Sequence, residues 1–347
     1  MKKLRQIIML VLAILLIGGV VACGNTEPAD IGSTDAGSTD TAAETNSTKS
    51  EPIVVRVGDQ PTFFLLKVAE EKGFFEEEFG SDNITIEVTD FVNLGPAIVE
   101  AMAAGDIDLA IIGTLPIITA NANNNKIIAL ASGNYSEDGF AFIATSDSGI
   151  TSIEDVKGKT VAMPFGTNEH QMLMALLDKG NVSPDEVEIA NMGAVDSLNA
   201  FLTGDIDAAI FKGHQIAAAL EAEGVHIADN GEVGLIVNSI VGREAFIQEN
   251  PEITSRFLKV LDKAQKYTIE NVDEAIEIVA RRTDTSIEDT TISYESRDRL
   301  VSTEPNYFLL PLTSSLEFAI SQGLIDTELD ITDIIDISYY ESAGISE

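Results

Sequence analysis

One segment of this chain occurs twice, and this repetition constrains the fold more than any other feature. Residues 101–111 read AMAAGDIDLAI, and residues 200–210 read AFLTGDIDAAI. In both copies a helical stretch ends at a glycine, which readily takes the left-handed conformation that closes a helix. An apolar run typical of a buried strand then begins. Two copies of one helix–turn–strand unit predict two similar α/β lobes instead of one large sheet.

Short apolar runs alternate with helical stretches around both copies. In the first half, the pattern predicts strands at 53–57, 84–88 and 109–112, with helices at 63–72, at 95–104 and from Thr114. In the second half, it predicts strands at 160–163, 186–190 and 208–211, with helices that follow 166–168 and span 195–202. Such alternation favours a mostly parallel sheet flanked by helices in each lobe. Beyond residue 242 the spacing predicts helices, at 251–270, 273–282 and 314–322.

The first residues predict export. A basic start is followed by an apolar run at 7–21 and by Ala22 and Cys23, the only cysteine of the chain. This is the pattern of a signal peptide. The stretch VVAC at 20–23 resembles the bacterial lipoprotein box, in which the cysteine is acylated, so Cys23 is the predicted lipidation site; the alternative is an ordinary cleaved signal with a chance cysteine. A single cysteine also means that the fold holds no internal disulfide.

Composition separates a linker from the globular part and excludes one class of partner. Residues 24–52 carry almost no large apolar side chain, which predicts a flexible linker after a signal peptide at 1–23. The chain has 57 acidic and 21 basic residues and a formal net charge of -36. Nucleic acid is therefore not an expected partner, because phosphate binding requires a basic surface. Net charge does not indicate the charge of a small ligand.

Six segments carry a family resemblance: RVGDQ at 56–60, GFFEEE at 73–78, GDID at 105–108, GTLP at 113–116, IEDVKGKTV at 153–161 and FGTNEH at 165–170. Together they resemble the substrate-binding lipoproteins of ABC transporters in the aliphatic sulfonate, taurine and nitrate group, related to the NMT1/THI5-like pyrimidine-precursor binders. The resemblance spans roughly residues 53–340. In one place the chain departs from it: the family has an aromatic–acid–proline phrase where this chain has Phe211, Lys212, Gly213 and His214.

The resemblance implies a two-lobe periplasmic-binding-protein fold of type II, an α/β fold with a hinge and a helical C-terminal tail. It places lobe 1 at 53–145 and lobe 2 at 146–240, with a return to lobe 1 and C-terminal helices at 241–347. The chain then crosses between the lobes near Thr145 and near Val241. The implied partners are a small-molecule ligand, a permease and a cytoplasmic ATPase, and the implied location is the extracytoplasmic face of the cell membrane. The protein is expected to be a monomer.

Three strand-to-helix turns should face the crevice between the lobes, because ligands bind at the carboxyl ends of strands in open α/β sheets. Free backbone N–H groups at helix starts bind anions. The expected ligand-binding residues in these turns are Gln60, Gly113, Thr114, Gly166, Thr167 and Asn168. The alternative for each turn is an ordinary helix cap. Thr114 and Thr167 occupy matching places in the two lobes and in the family, which favours ligand contact.

Three further side chains could hold an anionic group. His170 lies in the first turn of a predicted helix and could donate to an anion, and Lys212 and His214 follow a predicted strand. The alternatives are an exposed or structural histidine and a solvated loop. The paired carboxylates Asp106/Asp108 and Asp205/Asp207 lack the further oxygen ligands of a calcium site. We therefore expect a structural role for them, and no metal or cofactor.

The predicted function is capture of a small anionic ligand, such as an aliphatic sulfonate or taurine, for an ABC importer. Alternative ligands are nitrate, bicarbonate and a thiamine or pyrimidine precursor. A surface-anchored enzyme on the same fold is the alternative class, although the chain has no Gly-x-Ser-x-Gly elbow, phosphate loop or Cys–His pair. A structural or adhesive lipoprotein is less consistent with two hinged lobes.

Overall fold

The computed structural model describes residues 52–61, 63–91, 94–136, 139–234, 236–296, 301–326 and 329–345. The predicted signal peptide, Cys23 and the predicted linker up to residue 51 lie outside these ranges. Within them, no helix is both long enough and apolar enough to cross a membrane.

The strands of the described ranges form two five-stranded sheets. In chain order they are β1 (Ile53–Asp59), β2 (Ile84–Asp90), β3 (Leu109–Gly113), β4 (Ile127–Ser136), β5 (Phe140–Ala144), β6 (Thr160–Met163), β7 (Glu188–Asn191), β8 (Ala208–Lys212), β9 (Val225–Asp229) and β10 (Ile236–Arg243). The order in the first sheet is β2-β1-β3-β10-β4, and in the second sheet it is β7-β6-β8-β5-β9. We call each sheet with its helices a lobe. The presence of two such sheets confirms the predicted two-lobe α/β architecture.

Helices cover both sheets and form the C-terminal part of the chain. They are α1 (Leu65–Glu71), α2 (Phe74–Phe79), α3 (Leu94–Ala104), α4 (Thr114–Ala122), α5 (Asn168–Lys179), α6 (Ala194–Thr203), α7 (His214–Glu221), α8 (Glu244–Glu249), α9 (Pro251–Glu270), α10 (Val272–Thr283), α11 (Ile287–Glu295), α12 (Leu309–Ser321) and α13 (Ser338–Ala343). The predicted strand at 186–190 begins later, at Glu188, because Pro184–Glu186 forms a 3-10 turn. The predicted helix at 314–322 begins earlier, at Leu309.

Each sheet is mixed but mostly parallel, as predicted, because four of its five strands run in the same direction. β1 pairs in parallel with β2 and β3, and β6 pairs in parallel with β7 and β8. β10 is antiparallel to β3 and β4, and β5 is antiparallel to β8 and β9. The antiparallel strands are those that flank the passages between the sheets, and a strand that enters from the opposite lobe runs against its neighbours.

The passages between the lobes lie earlier in the chain than the sequence placed them. The first sheet ends its fourth strand at Ser136, and the second sheet begins at Phe140, before the expected crossing near Thr145. The return strand already pairs with the first sheet at Ile236, before the expected crossing near Val241. Both boundary strands are mostly buried, and only their long-range pairing decides to which lobe they belong.

The repeated segment forms the same local structure in both lobes. Gly105 and Gly204 end their helices at φ 79° and φ 75°, in the left-handed region that glycine tolerates. Asp108 accepts a hydrogen bond from the Arg56 backbone N–H at 3.0 Å, and Asp207 accepts one from Thr160 N–H at 2.9 Å. Each second aspartate therefore ties its turn to the neighbouring strand, which confirms the predicted structural role.

Buried apolar side chains lie on both faces of each sheet. One cluster joins Leu109 and Ile111 of β3 to Phe257 and Leu261 of α9, so the helical C-terminal part packs on the first lobe. A strand that is buried on both faces reads as a continuous apolar run, as β3 does. This packing leaves the carboxyl ends of β1, β3, β6 and β8 free to form a site.

Candidate functional site

A small cavity lies where these strand ends meet, and we call it the strand-end cavity. Its volume is about 20 Å³, close to that of one water molecule. It is lined by residues of both lobes, which are Gln60, Phe63, Gly95, Gly113, Pro116, Phe140, Thr167, Asn168, Glu169, Lys212 and Asn238. Five of these are predicted site residues: Gln60, Gly113, Thr167, Asn168 and Lys212. The turns after β1, β3 and β6 and the end of β8 are thus brought together, with the lobes closed around them.

A buried ion pair dominates the charge of this cavity. Lys212, the last residue of β8, donates to Glu169 Oε1 at 2.6 Å, and the ammonium group also lies 5.5 Å from the centre of the Phe140 ring. Their side chains are 13% and 6% exposed. Burial alone would raise the pKa of Glu169, but Lys212 and the Glu169 backbone N–H outweigh burial and hold it below its ordinary value. The Glu169 carboxylate is therefore charged at neutral pH.

Side chains of the protein itself accept hydrogen bonds from the backbone N–H groups at the start of α5. Thr167 precedes the helix, its hydroxyl donates to the Pro164 carbonyl at 2.7 Å, and the same oxygen accepts from His170 N–H at 3.4 Å. The Glu169 carboxylate accepts from its own backbone N–H in the same turn. A carboxylate of the chain already occupies the position at which the sequence placed a ligand anion, so an anionic ligand has to compete with it.

At the start of α4, by contrast, no side chain of the described residues caps the backbone N–H groups. Gly113 precedes the helix in an extended conformation and makes no side-chain cap. Thr114 does not supply a cap either, because its hydroxyl lies 2.6 Å from Ser315 Oγ of α12. Ser315 in turn donates to Gln171 Oε1 of α5 at 2.9 Å, so Thr114 is the donor in its own bond. The backbone N–H groups of Thr114 and Leu115 are therefore the better candidates for contact with an anion.

Asn168 joins the lobes at the cavity. Its Nδ2 donates to the Val237 carbonyl of β10 at 3.3 Å, a long hydrogen bond, and its Oδ1 is buried without a hydrogen-bond partner. A Cβ atom on Gly113 would lie 2.7 Å from that Oδ1, so a larger residue there would displace the Asn168 side chain. The close approach explains the glycine before α4, and the unpaired oxygen marks a place where a ligand donor would be favourable.

A second ion cluster fixes the turn that carries Gln60. Lys67 of α1 donates to Asp59 Oδ2 at 2.7 Å, to Asp90 Oδ1 at 2.8 Å and to the Gln60 carbonyl at 3.1 Å. Burial raises the pKa of Asp59 to about 6, against the opposing attraction of Lys67. The Gln60 side chain donates to the Ile111 carbonyl at 3.3 Å. Gln60 is thus held in the cavity wall from two directions.

Three predicted residues, Gly166, His170 and His214, do not line the strand-end cavity. Gly166 takes φ 71° in the turn before α5, and its N–H donates to His170 Nδ1 at 3.3 Å. His170 stacks on Phe165, and burial lowers its pKa, so it is neutral and its Nδ1 is an acceptor. The contact of His170 with an anion stays a prediction, and its Nδ1 is already engaged by the Gly166 N–H. His214 begins α7 and is only partly buried.

A larger cavity lies beside the first, between α5 and α12, and we call it the α12 cavity. Its volume is about 340 Å³, within the range of small-molecule sites. None of its lining residues is ionisable; they are Thr114, Asn168, Gln171, Met172, Ala175, Val233, Gly234, Ile236, Asn306, Leu310, Pro311, Ser314, Ser315 and Phe318. Asn168 lines both cavities.

The sequence did not identify Glu169 or Ser315 as site residues. An acidic residue in the first turn of a helix is common because it complements the helix dipole, so Glu169 gave no signal of its own. Ser315 lies 201 residues from its partner Thr114, and no local pattern predicts that contact. Among the described residues, no group of three or more histidine, cysteine or acidic side chains could hold a metal ion.

The chain is similar in sequence to known proteins. The family model NMT1/THI5 like matches residues 60–275, more than half of the chain. A candidate aliphatic sulfonates-binding protein of Bacillus subtilis (strain 168) is 26% identical over 296 residues, which cover 83% of this chain and 87% of the relative. The taurine-binding periplasmic protein of Escherichia coli (strain K12) is 28% identical over 229 residues, covering 65% and 69%.

Solved structures show the same fold. The alkanesulfonate-binding protein SsuA of Xanthomonas axonopodis pv. citri, bound to MOPS, superposes with a TM-score of 0.73 at 18% identity, covering 83% of this chain and 99% of that one. A desulfurization enzyme superposes with a TM-score of 0.63 at 13% identity, covering 84% and 98%. At these identities the likeness concerns the fold, which binding proteins and enzymes share.

Proposed function

The chain belongs to the NMT1/THI5-like family, and from this premise we propose that it is the extracytoplasmic solute-binding lipoprotein of an ABC importer. It captures a small organosulfonate in the crevice between its lobes and delivers it to a permease that a cytoplasmic ATPase drives. One observation carries the proposal: a largely buried ammonium group, that of Lys212, lies in a closed cavity between the two lobes. The relatives named for sulfonate and taurine binding support the ligand class.

The arrangement supports capture by lobe closure. The uncapped start of α4 belongs to the first lobe, and Lys212 belongs to the second lobe. A sulfonate that accepts hydrogen bonds from both stabilises the closed state over the open one. Entry requires the lobes to separate, because the closed cavity holds only about 20 Å³.

Binding is favoured over catalysis by the side chains at hand. The hydroxyl groups of Thr114 and Ser315 lead to the Gln171 amide, which is not a base, so neither hydroxyl is activated as a nucleophile. Nitrate and bicarbonate would use the same donors as a sulfonate. A neutral thiamine or pyrimidine precursor would make no use of the Lys212 charge.

We expect ethanesulfonate or taurine to stabilise the protein against thermal unfolding more than nitrate, bicarbonate or a pyrimidine does. A ligand at about one hundred times its dissociation constant should add about 2.7 kcal/mol to the free energy of unfolding. Thermal unfolding of the chain with each compound tests this, and chromatography of the mixtures checks that the ligand is unchanged. Stabilisation by the pyrimidine alone, or steady formation of a product, would contradict the proposal.

We expect Cys23→Ser to release the protein from the membrane without loss of the fold. Acylation of Cys23 is the only anchor proposed, and Cys23 precedes the predicted globular part, which begins at residue 53. Membrane fractionation with circular dichroism measures both properties. Thr41→Ser, a similar change within the linker, should leave the protein bound to the membrane. A Cys23→Ser protein that stays in the membrane fraction would remove the lipid anchor from the account.

A further inference from the structure

The α12 cavity differs in chemistry from the strand-end cavity beside it. The strand-end cavity contains the Glu169–Lys212 ion pair, whereas no ionisable side chain lines the α12 cavity. Its walls combine apolar groups, such as Met172 and Phe318, with the amide and hydroxyl groups of Asn306 and Ser314. The chain has 57 acidic residues, yet none of those that the structure describes lines this cavity. A wall without charged groups is suited to an uncharged part of a ligand, because a buried charge needs a partner.

The size of the α12 cavity indicates how large that guest is. An apolar cavity of about 150 Å³ holds one benzene ring. The α12 cavity, at about 340 Å³, is roughly twice as large and could hold a fused or substituted ring. Leu310, one of the lining residues, is 55% exposed to solvent, so the cavity is open on that side.

Asn168 belongs to the lining of both cavities, and its side chain is weakly held. It donates one hydrogen bond at 3.3 Å, and its Oδ1 has no partner although the residue is only 7% exposed. Leaving a buried carbonyl oxygen unpaired is unfavourable, so a ligand that donates to this oxygen or turns the side chain gains free energy. A ligand can therefore reach from the charged cavity past Asn168 into the neutral one.

We propose that the α12 cavity receives the uncharged organic part of the ligand, so that the protein prefers sulfonates with a ring or another bulky neutral group. This inference rests on the proposed function, in which the sulfonate group binds at Lys212. The head group then lies at Lys212, where the strand-end cavity of about 20 Å³ widens to admit it, and the ring lies between α5 and α12. Ser315 donates to Gln171, which links α12 to α5 in the wall of the α12 cavity.

Calorimetric titration of the 347-residue chain with ethanesulfonate and naphthalene-2-sulfonate tests the inference. We expect the ring compound to bind about tenfold more tightly or better, because its ring leaves water. Ala175→Leu fills the cavity from α5 and should lower the affinity for naphthalene-2-sulfonate about tenfold, with ethanesulfonate changed less than about twofold. Ser314→Leu reaches the same space from an exposed position on α12 and should act alike.

Ala218→Leu on α7, a residue that lines neither cavity, is the matched control and should change neither affinity. Equal affinity of the unchanged chain for both sulfonates would overturn the inference and leave the proposed function intact. The same holds if Ala175→Leu and Ser314→Leu both leave the binding of naphthalene-2-sulfonate unchanged. If neither sulfonate binds to the unchanged chain, the proposed function fails, and the inference fails with it.

Discussion

Lys67→Met should lower the free energy of unfolding by about 3–5 kcal/mol, the cost expected when one partner of a buried ion pair is removed. The Lys67 side chain is 1% exposed and Asp59 is fully buried, so methionine leaves a carboxylate without its cation or water. Asp90 loses the same partner. A loss of this size is a large part of the stability of an ordinary domain. Urea denaturation at pH 7 measures it.

The loss should depend on pH in a known direction. Burial already raises the pKa of Asp59 to about 6 with Lys67 present. Without Lys67 the folded-state pKa rises further, so the carboxyl group is protonated in the folded state at pH 5 and the penalty shrinks there. The penalty is largest above the folded-state pKa, where the buried group is charged. Lys157→Met breaks an exposed pair with Glu186 and should cost less than about 1 kcal/mol. Equal effects of the two substitutions would contradict this account of the Asp59 turn.

Lys212→Met should weaken the binding of ethanesulfonate by about 10- to 150-fold, which corresponds to the 1.5–3 kcal/mol of a charge-assisted hydrogen bond. Glu169→Gln should have the opposite effect and strengthen binding, because it removes the internal carboxylate that competes for Lys212. The opposite signs distinguish a ligand contact from a purely structural pair, since loss of either partner of a structural pair is harmful.

The double substitution Lys212→Met with Glu169→Gln serves as the folding control. It leaves no buried charge unpaired, so its unfolding transition should be closer to that of the unchanged chain than that of Lys212→Met alone. Lys159→Met removes a lysine that is bound to the Ser148 carbonyl and should leave affinity unchanged. If Glu169→Gln weakens sulfonate binding as much as Lys212→Met does, the anion is not bound at Lys212.

Much of the fold could be predicted from local patterns. The repeated segment predicted two lobes because Gly105 and Gly204 each mark the end of a helix before a buried strand, and both glycines are left-handed. The strand at 160–163 and the helix at 251–270 have the predicted bounds. Such elements are set by spacing within the chain, which the sequence displays directly.

What could not be predicted depends on contacts between distant residues. β5 and β10 change lobes earlier than expected, because their apolar side chains fit either sheet and only pairing with β8 or β3 decides. The turns that carry Gln60, Gly113, Thr167 and Asn168 meet as predicted at one edge. The internal carboxylate of Glu169 and the Ser315 contact with Thr114 arise only when α5 and α12 come together.

The central claim is reversible capture of an organosulfonate between the lobes, and equilibrium dialysis with quantitative recovery of the ligand tests it most directly. The purified chain should bind ethanesulfonate or naphthalene-2-sulfonate saturably, at about one molecule per chain, and release it chemically unchanged on dilution. Excess of the same sulfonate should displace the bound molecule, and Lys212→Met should reduce the bound fraction. Failure of both sulfonates to bind, or recovery of a sulfonate that has been chemically altered, would contradict the claim.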